Sequence, residues 1–207
     1  MFCECFFRVL HWLCGFLTFS NWLEIMKIVG AALAFGIGLW QYSKNQTWKR
    51  LEFVAAEMRS FFNDIAARDA MTMLDWRKKE MALYKYRGEG DSKSVTVNYE
   101  LVASSLGVGP DAHHSKEQSA IREIFERFLE FLARFEGFLK AKVVKKEDLD
   151  PYLDYWTKLI SGHDAHSPEV TKQVLPQLWK FIDYYGYRDV RQFINRYHSV
   201  AFPESKE

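Results

Sequence analysis

The sequence predicts an all-α protein, with a single N-terminal transmembrane helix followed by a cytoplasmic helical bundle carrying at most one small β-hairpin. Three observations predict it. Ile28 to Trp40 run thirteen positions without a charged or strongly polar side chain. Beyond them, apolar residues recur at the three-and-four spacing of a helix face. Two-residue alternation is confined to one short stretch around Gly88 and Gly90.

The elements follow in order. Residues 1–24 are apolar and aromatic but interrupted by Glu4, Arg8 and His11. They read as an interfacial amphipathic segment, or as an upstream extension if Met26 is the natural start. Asn21 to Glu24 leaves too little chain to turn a hairpin into a second span. The cysteines Cys3, Cys5 and Cys14 all lie here, so no disulfide staples the rest of the chain. The Cys3–Cys5 pair suits a soft metal or a lipid chain in principle, yet no further ligands accompany it, and apolar thiols are the expected reading.

Ile25 to Tyr42 spans eighteen residues. At about 1.5 Å per residue that reaches ~27 Å, enough for a bilayer core. Trp22, Trp40 and Tyr42 are interfacial anchors, and Lys27 can snorkel. Lys44, Lys49 and Arg50 follow the uncharged run Ile28–Trp40, whereas only Arg8 and Lys27 precede it, so the C-terminal side is expected to face the cytoplasm. Gly30, Ala34 and Gly38 recur every four residues, a spacing that lets helix backbones pair closely. Self-association through this face is expected.

Residues 43–207 form the expected helical domain. One helical region runs from Asn45 to about Lys85, with a break near Asn63 and Asp64 and an apolar face of Leu51, Val54, Met58 and Phe61. A hairpin is expected from Leu83–Tyr86 through a turn at Gly88–Ser94 to Val95–Val97, and a loop from Gly107 to Ser115. Ile121 to Leu139 carries the best stripe, Ile121, Ile124, Phe125, Phe128, Leu129, Leu132, Phe135 and Leu139. Glu123 with Arg127, and Glu130 with Arg134, are spaced for i,i+4 pairs. Helices are also expected from Glu147 to Leu159, from a Ser167 cap to Gly186 with a kink at Pro176, and from Asp189 to His198, making five or six in all.

Composition excludes several function classes. The 28 Lys and Arg balance 27 Asp and Glu, so nothing attracts nucleic acid in general. No GxSxG elbow is present, and Gly107-Val108-Gly109 leads into Pro110 rather than a phosphate-cradling helix. His113, His114, His163, Asp164 and His166 lie in loops and lack the matched ligand spacing of a metal site. Asp75-Trp76-Arg77 is the most distinctive polar cluster, read first as an ion pair and packed ring. Tyr184 to Tyr187 reads as aromatic packing at a helix end. No residue is assigned a catalytic, cofactor-binding or metal-ligating role.

QYSKNQTWKRLEFVAAEM from Gln41 and AMTMLDWR from Ala70, with IREIFERFLEFLARFEGFL from Ile121 and DLDPYLDYW from Asp148, resemble an uncharacterised bacterial family with an N-terminal membrane helix. Trp48, Lys49, Arg50, Glu52, Phe53, Leu74, Asp75 and Trp76 occupy the motif positions. The resemblance covers roughly residues 26–197 and implies an anchor and a fold, with no activity attached. The expected function is a membrane-tethered, oligomeric interaction module at the inner-membrane face with an unknown protein partner. The alternatives are a bilayer-perturbing effector of a stress or phage-defence system, and an enzyme with a site near Asp75.

Overall fold

The structure, a computed structural model, describes residues 19–83, 94–109, 113–163 and 168–203. The chain divides into two units, Met1–Lys49 and Arg50–Glu207. Eight helices and two strands are described: α1 Phe19–Asn63, α2 Ile65–Asp75, β1 Lys78–Ala82, β2 Ser94–Asn98, α3 Tyr99–Ser105, α4 Lys116–Lys140, α5 Lys146–Ser161, α6 Pro168–Gln173, α7 Leu175–Tyr184 and α8 Arg188–Tyr197. The fold is helical with a two-stranded sheet, as the periodicity predicts.

The first unit is described from Phe19, where α1 is already helical. Phe19–Glu24 therefore belongs to the same helix as the apolar run, whereas the sequence reading separates the two. The cysteines and the rest of the interfacial segment lie outside the described residues. The apolar run itself is a candidate span: its eighteen-residue window has a mean hydropathy of 1.6, and none of it is buried.

In the second unit, the break expected near Asn63 falls at Asp64. Its extended backbone caps α2, with the carboxylate accepting from the Ala67 amide at 2.9 Å. The helical region then stops at Asp75, ten residues short of the expected end. The first strand follows at once, as β1, so it precedes the expected Leu83–Tyr86. Register pairs Lys78 with Asn98 and Met81 with Val95, antiparallel. Met81, Leu83 and Val97 are the side chains that this hairpin buries. Tyr84, Tyr86 and the turn lie outside the described residues. The short α3 has no apolar stripe long enough to stand out in sequence. Asn98 caps it, accepting from the Leu101 amide at 2.8 Å.

Helix α4 is central, packing against α2, α3 and α8. It starts five residues before the expected Ile121 because Ser115 and Gln118 form a capping box, satisfying two amides that the helix start leaves free. Phe61 of α1 lies 6.0, 5.3 and 5.5 Å from the rings of Phe128, Phe131 and Phe135 on α4. The core is thus built on large rings, as the aromatic content implies. The arginines of α4 reach across elements: Arg127 lies 3.4 Å from Asp64 as well as 3.3 Å from Glu130, and Arg134 lies 3.9 Å from Glu57.

The helix expected from Ser167 to Gly186 is two helices. The break at Val174 precedes Pro176 by two residues, where proline has no amide to give and crowds the turn before it. Gly186 (φ 71°) ends α7 in the left-handed conformation expected of it, and the Tyr187 amide returns to Ile182 O at 2.9 Å. Gly162 (φ 86°) does the same for α5; a Cβ there would meet the Phe202 ring at 2.9 Å. Ser167 lies outside the described residues.

Glu136 of α4 is fully buried. A charge there is tolerable only with partners, and Arg196 of α8 supplies them: Nε at 2.6 Å from Oε2 and Nη2 at 2.8 Å from Oε1. The hydrogen bond to Glu136 is the main cause raising the Arg196 pKa, against a smaller opposing effect of burial.

Candidate functional site

The apolar segment of α1 stands out first. A helix of a water-soluble fold turns its polar residues outward, yet Ile28, Leu33, Phe35 and Leu39 are exposed here. Trp40 and Tyr42 close the segment, with Lys44 Nζ 4.1 Å from the Trp40 ring. Ideal Cβ atoms at Gly30 and Gly38 meet no other atom within 4 Å, so both positions are open to a partner helix. Chemically this surface can partition into hydrocarbon and admit a close helix–helix contact.

Asp75 ends α2. Its Oδ1 accepts a hydrogen bond from the Tyr155 hydroxyl of α5. Arg77 pairs with Glu169 of α6 at 3.0 Å, and Lys79 lies 4.7 Å from the exposed Trp76 ring. Burial, and then the carboxylates of Asp75 and Glu169, push the nearby Tyr99 phenol above the usual tyrosine range, while Arg77 acts in the opposite direction. The cluster ties three helices together, and Asp75 is committed to a phenol within it.

The histidines divide. His163 Nδ1 lies 3.1 Å from Ser161 Oγ, and its ring centroid is 6.4 Å from that of His198. His198 Nε2 lies 3.7 Å from Asp154 Oδ1. This pairing of loop and C-terminal histidines carries no sequence signal, since the two lie on different elements. His114 is pushed below the ordinary histidine value, first by burial and then by Arg122 and His113. Asp164 and His166 lie outside the described residues. Among the described residues, no three His, Cys, Asp or Glu side chains are placed to hold a metal ion.

Beside His198, Tyr197 Oη and Asp150 Oδ1 are buried without a hydrogen-bond partner among the described residues. At the end of α7, Asp183, Tyr184, Tyr185, Tyr187, Arg188 and Arg191 help to line an open cleft of about 590 Å³. Its polar groups are largely occupied. Arg122 Nη2 donates to Tyr185 Oη at 2.6 Å, and Arg191 holds both Asp183 oxygens at 2.7 and 2.9 Å. Tyr185 and Tyr187 also pack on Phe181, with centroids 4.7 and 6.4 Å away, as expected of rings at a helix end. No protein family, curated protein or solved structure matches the chain.

Proposed function

We propose that the chain is a membrane-tethered, oligomeric interaction module acting on a protein partner at the cytoplasmic face of the inner membrane. One observation carries this reading: the apolar window of α1 is exposed around its whole circumference, with none of it buried. So large an apolar surface is costly in water and is relieved in a bilayer. Trp40 and Tyr42 suit one interface, and Lys44, Lys49 and Arg50 beyond them support cytoplasmic placement of residues 43–207. The open face at Gly30, Ala34 and Gly38 supports self-association.

The test is fractionation together with a reporter fused after Glu207. The chain should stay with the inner membrane through high salt and alkaline carbonate, and the reporter should work only as a cytoplasmic probe. Release by salt would remove the span, and periplasmic activity would reverse the orientation. The same open glycine face favours a second reading, an effector of stress or phage defence whose associating spans perturb the bilayer. Dye release from vesicles carrying the purified chain separates the two. An enzyme working at Asp75 draws less support, because that carboxylate is taken up by Tyr155.

A further inference from the structure

The turn between α4 and α5 has an unusual composition for its position. Lys140, Lys142, Lys145 and Lys146 crowd into seven residues around Val143 and Val144. Val144 is buried and pins the turn to the core, whereas Val143 is 45% exposed. The Val143 amide returns to Phe138 O at 3.0 Å, closing the end of α4 through Lys142, which adopts the left-handed conformation (φ 57°). Glycine is the usual residue there. A lysine at this point adds a cation to the tip of the turn.

The charge around the turn is positive. Lys140 is paired with Asp189 at 2.6 Å, and Lys146 lies over the Tyr197 ring at 4.8 Å. Asp148 is committed to Arg50 at 2.7 Å and accepts from the Lys145 amide at 2.9 Å. Lys142 and Lys145 are exposed and make no ion pair among the described residues. Glu147 and the Asp189 paired with Lys140 are exposed acids nearby. An isolated exposed valine is ordinary; one flanked by free lysines presents an apolar tip in a cationic collar.

The location completes the case for a ligand. Arg50 opens the second unit, and its contact with Asp148, with Phe53 against Phe138 at 5.0 Å, places the turn at the end of that unit where the chain arrives. Arg50 follows Tyr42 by eight residues, so chain length alone keeps it within about 29 Å of the end of the apolar segment. We infer that the turn 141–146 is an interfacial contact, with Val143 entering the headgroup region and Lys142 and Lys145 held by anionic phospholipid. This rests on the reading of α1 as a span. A free acidic peptide would use the lysines but not the apolar tip.

The test uses the full chain in nanodiscs, with Cys3, Cys5 and Cys14 changed to Ser. A fluorophore is attached through Val143→Cys or, as a control, Lys116→Cys, about 36 Å away at the other end of α4. Headgroup spin-labelled lipid is the quencher. The label at position 143 should be quenched several-fold more than that at 116 in discs containing phosphatidylglycerol. The difference should shrink in pure phosphatidylcholine, and again with Lys142→Glu and Lys145→Glu, whose circular dichroism should match the parent. Equal quenching at the two positions would overturn the contact while leaving the span intact. Quenching at 143 that ignores both lipid charge and the lysine reversal would overturn the headgroup role. A chain that never enters the discs would overturn span and contact together.

Discussion

Tyr197 shows what burial does to a single polar atom. Its hydroxyl is buried without a hydrogen-bond partner among the described residues, and burial, followed by the carboxylates of Asp150, Asp154 and Glu147, raises its pKa far above the ordinary 10.0. Tyr99 and Tyr187 are raised as well, burial being the main cause in both. The folded pKa lies above the unfolded one, so below pH 10 both states keep the proton and stability does not depend on it. Above pH 10 the unfolded chain ionises first, and stability falls as pH rises towards the folded value. Tyr197→Phe removes a hydroxyl that has no bond to lose, so at pH 7 it should be neutral or stabilising by up to about 1 kcal/mol. It should also flatten the loss of stability above pH 10, as read from thermal unfolding over a pH series. A loss of thermal stability at pH 7 would mean that the hydroxyl is bonded after all. Neither Tyr197 nor Glu136 was legible as special in sequence. Glu136 falls within the wide apolar sector of α4, but only the arrival of Arg196 from sixty residues away makes a charge there bearable.

At the scale of elements, amphipathic stripes carried most of the information. The stripe from Ile121 to Leu139 is buried along most of its length, because a helix with so many apolar residues on one face has one way to hide them. Boundaries followed local chemistry: the Asp64 cap sets the break where it is expected, whereas the capping box at Ser115 and the proline-driven break at Val174 each moved an end by a few residues. Helix α3 was missed, and strand β1 was expected a few residues too late, because short elements lack a full period of pattern. Helix α1 yields its own prediction. Gly30→Leu with Gly38→Leu keeps the segment apolar while filling the face that close helix pairing needs. The double variant should remain in the membrane and show less cross-linking between protomers. Unchanged cross-linking would move any assembly to the second unit and weaken the bilayer-perturbing reading.

For the whole molecule, the division at Lys49 and Arg50 predicts that residues 50–207 contain a complete core: Val54, Met58 and Phe61 lie beyond the boundary and pack with the rest. Expressed alone, that fragment should give a helical circular-dichroism spectrum and one cooperative melt, and an unfolded or aggregated fragment would show that the core needs the first unit. Sequence by itself determined the helical class, the apolar segment, the ring-rich core and the central place of the helix from Ile121, because all of these follow from composition and period along the chain. Tertiary structure alone decided which polar groups meet: Arg196 with Glu136, Tyr155 with Asp75, His163 beside His198, and Arg50 with Asp148 beneath the lysine turn. Those meetings join residues far apart in the chain, and periodicity records which way a side chain faces but never what it finds there.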